Sequence, residues 1–260
     1  MEIDYGKIFG RAAAYSFSAH RIVPMLAINA AMLLAALMIT QSILVSVAGG
    51  SLGALFSAIG TFVIILIITT IAAIFFVTAY IHDANDYWKG KNLDIYHSYK
   101  YARSKYLKML GATILVGTIS AAISMAVGLP FISIAVDIIV GLVFLMYTPI
   151  IVLESKGLIE SMKESYGIFM RNKFDLFTYW WVLTGIQLAI FAVSLIPLAI
   201  FSWPAIAAAI GGIPAAQAIQ ANATVISLGI LAMSTMLSYA TVFGISSLTF
   251  MYASLKRVKK

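Results

Sequence analysis

One carboxylate sits where carboxylates are rare. Asp137 is the only charged residue in an apolar run from Phe131 to Leu153. On a membrane-crossing helix it would lie about 10 Å in from the outer end at 1.5 Å per residue. An unpaired charge at that depth is costly, so the group is expected to be protonated, hydrogen-bonded or facing water. Two chemistries fit: a proton or cation site in a transport path, or a polar link between helices.

A second candidate is His82-Asp83-Ala84-Asn85-Asp86. Asp83 and Asp86 are three apart, share a helical face and have the ligand type for Mg²⁺. Lipid-modifying membrane enzymes use such acidic pairs but need a second cluster. Here only Glu154, Glu160 and Glu164 remain, and the last two fall among lysines. The competing reading is a solvated, helix-capping loop. His20 and His97 read as interfacial residues without metal-ligand spacing. There is no G-x-S-x-G, Walker A, H-E-x-x-H or dinucleotide fingerprint. The expectation is therefore a non-enzymatic protein with no cofactor.

The composition says what must position these residues. The chain is 62% hydrophobic and 10% charged, against about 25% charged for a soluble domain. Its mean hydropathy is +0.99. Such a chain cannot cover its own surface in water, so its solvent is lipid. There is no Cys, which excludes disulfides and thiolate metal sites. The absence of Cys and the abundance of Ile and Ala suit a prokaryotic source.

A span needs about 20 apolar residues. No charge interrupts the 60 residues from Ile22 to Ile81, enough for two spans around a turn at Val47–Gly53. A third span runs from near Met109 to Val127, Gly128-Leu129-Pro130 breaks it, and a fourth runs from Phe131 to Leu153. The 80 uncharged residues between Asp175 and Lys256 exceed two spans. Pro197, Pro204, Gly211, Gly212 and Pro214 mark a connection of about 20 residues, before a sixth span from about Thr224 to Tyr252. An apolar first run of about 26 residues is too long for a cleaved signal segment, whose core is about 7–15. Asn222-Ala223-Thr224 is a glycosylation sequon in an expected outer link.

The net charge of +7 is explained by its placement, with no need for nucleic acid. Lys7, Arg11 and Arg21 precede span one. Lys89, Lys91, Lys100, Arg103, Lys105 and Lys108 lie between spans two and three. Lys156, Lys163, Arg171 and Lys173 lie between four and five, and Lys256, Arg257, Lys259 and Lys260 end the chain. These are all 17 basic residues. The positive-inside rule puts both termini in the cytoplasm of a cell-membrane protein, which an even number of spans satisfies.

Each basic segment carries an amphipathic pattern leading into a span. The apolar faces are Ile8, Ala12, Tyr15 and Ala19; then Ile95, Tyr99, Ala102 and Tyr106; then Ile159, Met162, Tyr166 and Phe169. Basic hinges follow, and Arg21, Lys100, Arg103, Lys105, Lys108, Arg171 and Lys173 are expected to contact an anionic inner leaflet, the partner the sequence implies. Basic residues there add about 1 kcal/mol each. The fold expected is all-α and polytopic: six transmembrane helices and about three short interfacial ones. It forms a single domain over 1–260 with a threefold repeat over 1–82, 93–153 and 157–252. Gly111, Gly117, Ala121 and Ser124 favour close helix packing in span three. Phe177, Tyr179, Trp180 and Trp181 read as an aromatic anchor.

Pro149-Ile-Ile-Val-Leu-Glu154-Ser-Lys-Gly157, then an amphipathic helix carrying Ser165 and Tyr166, then Arg171-Asn172-Lys173, resembles a group of prokaryotic six-span proteins. That group is similar to the membrane domain fused to some glycerophosphodiester phosphodiesterases. The ending Thr249-Phe-Met-Tyr252-Ala-Ser-Leu-Lys256 is similar too. The resemblance implies the six-span architecture. It brings no catalytic residues, and the phosphodiesterase domain is absent from this sequence.

Overall fold

The computed structural model describes residues 3–49, 52–91, 94–127 and 130–257. The turn expected at Gly50-Ser51, the break at Gly128-Leu129, the repeat start at Leu93 and the basic Lys259 and Lys260 lie outside them. In chain order the helices are α1 (Tyr5–Ser16), α2 (Ala19–Gly49), α3 (Leu52–Trp88), α4 (Ile95–Val127), α5 (Pro130–Val143), α6 (Tyr147–Glu154), α7 (Leu158–Arg171), α8 (Lys173–Ile210), α9 (Ala215–Ala221) and α10 (Ala223–Arg257). No strand occurs among the described residues.

Six segments are long and apolar enough to cross a bilayer: Ala19–Ser46, Leu55–Trp88, Ile95–Ile123, Ile132–Glu154, Lys173–Ile210 and Ala223–Lys256. This is an all-α, multi-pass membrane protein. In hydrocarbon every backbone group must be satisfied within the segment, and helices do that. Where the chain leaves a span, side chains take over. The Asp4 carboxylate accepts from the Lys7 N–H at 2.9 Å and starts α1. Glu160 reaches back to the Gly157 N–H at 3.4 Å and starts α7.

Three features depart from the expected layout. The basic hinge at Lys105 and Lys108 does not exist, because the second amphipathic segment is the beginning of the continuous α4. The connection of about 20 residues after span five shrinks, because α8 continues through Pro197 and Pro204 to Ile210. Prolines are tolerated inside membrane helices more readily than in soluble ones. Span four, expected to be unbroken, is interrupted between Val143 and Tyr147.

The chain packs as two compact units. The first comprises Met1–Phe17, Ile74–Ile186 and Phe243–Lys260; the second comprises Ser18–Ala73 and Gln187–Val242. In the first, Ile74, Ile81, Met109 and Val152 form a buried apolar cluster. In the second, Ala205, Ile226 and Ile230 form another, and Asn29 donates to the Ser238 hydroxyl at 3.0 Å. The tight helix crossing expected at Gly111 and Gly117 is elsewhere. A Cβ on either would meet nothing within 4 Å, whereas one on Gly229 would lie 2.8 Å from Phe201 Cβ and 3.2 Å from Leu198 Cα.

Candidate functional site

The residues that sequence reasoning singled out fall mostly in the first unit, and the break in span four organises part of it. Pro149 has no N–H to give Leu145, and its ring clashes with that carbonyl in a continuing helix. The helix therefore stops at Val143 and restarts at Tyr147, with Pro149 in the first turn of α6, where a missing donor costs nothing. The groups freed by the break meet Ser165 of α7. Its hydroxyl donates to the Val143 carbonyl at 2.9 Å and accepts from the Met146 N–H at 3.2 Å. Below the break, the Tyr101 hydroxyl donates to the Val152 carbonyl at 2.6 Å.

This engagement rotates α7 from its expected orientation. Ser161, Met162, Ser165 and Ile168 are its buried residues. Ile159 and Tyr166, expected on the same apolar face as Met162, are 56% and 52% exposed. Likewise, the face of α1 assigned to the headgroup layer is spent on protein: Ile8, Ala12 and Tyr15 are buried. Tyr179 of the expected aromatic anchor is buried too, stacked on Phe9 at 5.7 Å and hydrogen-bonded to Ser247 at 2.9 Å. Phe177 and Trp181 remain exposed.

Just beyond α6, the carboxylates hold cations. Glu154 pairs with Lys156 at 2.8 Å and also binds Lys256 and the Tyr252 hydroxyl of α10. Lys156 reaches Glu164 of α7 as well. Hydrogen bonds to the two glutamates push the Lys156 ammonium above its ordinary range. Glu154 is thus an anchor tying the end of α6 to the end of α10.

Asp83 and Asp86 take different partners. Asp83 is 1% exposed within α3, not in a solvated loop, and accepts from the Tyr15 hydroxyl at 2.8 Å. Asp86 binds Lys91 at 3.0 Å and lies 3.8 Å from His82 Nδ1. No group of three or more candidate metal ligands occurs among the described residues. His97 lies 5.6 Å from the His82 ring, and His20 is engaged with the Ser18 hydroxyl at 2.8 Å. Asp137 is on the protein surface and accepts from the Ser120 hydroxyl of α4 at 2.5 Å, a polar link between α4 and α5. The sequon residue Asn222 donates to the Ala218 carbonyl at 2.9 Å and closes α9.

The basic residues divide. Lys100, Arg103, Lys108, Arg171 and Lys173 are exposed. Lys105 is half-buried, on the Ser155 hydroxyl at 2.6 Å and over the Tyr101 ring at 5.6 Å. Arg21 is 3% exposed, so burial removes it from the expected headgroup contact. Arg11, by contrast, lies over the Trp88 ring at 4.9 Å and donates to the Trp88 carbonyl at 3.3 Å.

Ser165 bridging the break, Tyr15 on Asp83 and Glu154 as an anchor are roles that the sequence alone does not mark. Pro149 was the available signal for a break, and a serine one helix away has no local mark of its use. Compared with models of known families, with curated proteins and with solved structures, the chain matches none.

Proposed function

We propose that this membrane protein is a non-enzymatic structural or accessory component of the cell membrane, with both termini cytoplasmic, held against anionic lipid by its basic side. The observation that carries the proposal is the set of exposed cations Lys100, Arg103, Lys108, Arg171 and Lys173. The neighbouring carboxylates Glu154, Glu164, Asp83 and Asp86 are spent on structural partners. At about 1 kcal/mol per basic residue near an anionic surface, five such residues bias the surrounding lipid strongly. The kinship with the phosphodiesterase-fused membrane domains belongs to the same proposal. Pro149, Glu154 and Ser165, which carry it, each have a structural use here.

The test is lipid composition around the protein. Protein purified in nanodiscs made from equal phosphatidylglycerol and phosphatidylcholine should retain phosphatidylglycerol in excess. Changing these five cations to Gln should lower retention towards the bulk ratio, the other exposed basic residues being left in place. Unchanged retention refutes the lipid role. Because the chain has no Cys, single cysteines report sidedness directly. Lys89→Cys should label from the cytoplasm and Ile213→Cys from the opposite face; labelling from one common side refutes the orientation.

A further inference from the structure

The second unit contains a cavity of about 460 Å³, walled by α2, α8, α9 and α10. Its size falls in the range of ligand pockets, about 300–1,000 Å³. Leu33, Leu37, Ala205 and Ile230 are typical of its lining, and no charged residue is among the described lining residues. Thr40 and Ser202 supply the hydroxyls on the wall, and the Thr40 hydroxyl is turned back to the Ala36 carbonyl at 2.8 Å. Water needs several polar partners to occupy a cavity, and this lining does not offer them. The cavity opens to the outside past the exposed Thr40 and Ile206, and left empty its buried walls at Ala205, Ile226 and Ile230 would forfeit dispersion contacts.

We propose that this cavity is a binding site for one hydrocarbon chain of a membrane lipid. The α2, α8 and α10 walls belong to segments long and apolar enough to cross a bilayer, so hydrocarbon surrounds those three, while α9 lies in the link between two of them. A partner helix is the wrong size. A cylinder about 10 Å wide and 30 Å long occupies on the order of 2,000 Å³. A single chain is narrow enough to enter, asks for no hydrogen bond, and is present in the bilayer at high concentration. Lipid tails are as apolar as leucine, so the chain binds by filling space. Selection among lipids then rests mainly on chain shape, because the described lining carries no charge to read a headgroup.

The probe is a phosphatidylcholine carrying a diazirine near the end of one acyl chain, reconstituted with the full-length protein in nanodiscs and photolysed. Peptide mapping should place adducts on Leu37, Ala205 and Ile230 above the level at the exposed surface residues Ile64 and Ile139. Ala205→Phe should lower the adducts at Leu37 and Ile230 by about fivefold or more, since the ring occupies the space the chain would take. Adducts at Ile139 should stay constant, which shows that the variant is folded and lipid-embedded. If Ala205→Phe is not monodisperse, Leu33→Phe fills the same cavity from another wall and decides the matter. Cavity adducts no higher than those at Ile64 and Ile139, or insensitive to the filling substitution, overturn the proposal.

Discussion

Replacing Ser165 with alanine should destabilise this protein far more than losing one surface hydroxyl would. Ser165 is buried on α7, and its hydroxyl both donates to the Val143 carbonyl and accepts from the Met146 N–H. Alanine leaves one acceptor and one donor facing a break that excludes water. Each buried group left unsatisfied costs about 1–3 kcal/mol, while side-chain hydrogen bonds in a membrane bundle average about 0.6 kcal/mol. Two groups between those limits give about 2 kcal/mol, a factor of about 30 in the folding equilibrium. Ser161 is the internal control. It is equally buried, but its hydroxyl donates to the Gly157 carbonyl, which the Ser161 N–H already satisfies. Ser161→Ala should therefore cost less than about 0.5 kcal/mol. SDS-driven unfolding in mixed micelles, followed by tryptophan fluorescence, measures both. The two sites should also couple: in a Pro149→Ala background the N–H returns, the helix can close over the break, and the cost of Ser165→Ala should shrink. Equal stability of Ser165→Ala and Ser161→Ala would refute the account of the broken span.

Other consequences are as direct. The Tyr5 hydroxyl is pushed up to about 12 by burial first, and then by the charge and hydrogen bond of Asp175. Its folded-state value is raised, so its stabilising contribution is complete below the ordinary value of 10.0 and disappears as pH climbs towards about 12. The difference in thermal stability between the natural protein and Tyr5→Phe should shrink over that window, and a constant difference would contradict it. Gly229→Leu should force α8 and α10 apart, at about 1–3 kcal/mol, because even a Cβ there would lie 2.8 Å from Phe201 Cβ. The same change at Gly111, which faces open space, should be nearly neutral in the same unfolding assay. Glu154→Gln removes the charge that holds Lys156, Lys256 and Tyr252. Amide exchange over residues 250–256 should accelerate; unchanged protection there would mean that the cluster is not an anchor.

The membrane class and the six spans were legible in the residues because they are sums over windows. Charge is absent over 60 and 80 residues at a stretch, and nothing tertiary can reverse that. The starts of α1 and α7 are also set locally: in the structure Asp4 caps the one and Glu160 reaches back to the start of the other, each within a single turn. What the residues did not carry was which partner covers a given helix face. Tyr15, Tyr179 and Arg21 have the chemistry of an interfacial residue, yet all three are buried. Amphipathicity marks a face as apolar without saying whether lipid or protein will cover it.

Tertiary structure alone decided the fate of the prolines. Pro197 and Pro204 look like stronger punctuation than Pro149, but α8 carries both while Pro149 stops a span. The difference at Pro149 lies in Ser165, sixteen residues on, whose hydroxyl takes the two backbone groups that the interruption frees. The cavity in the second unit has the same origin. Leu33, Ala205 and Ile230 are unremarkable apolar residues, and the space between them exists only because four helices converge without filling it. Hydropathy and charge are local and additive, so the chain carries them openly. Partner choice depends on contacts between distant segments, so it is settled only when the helices pack.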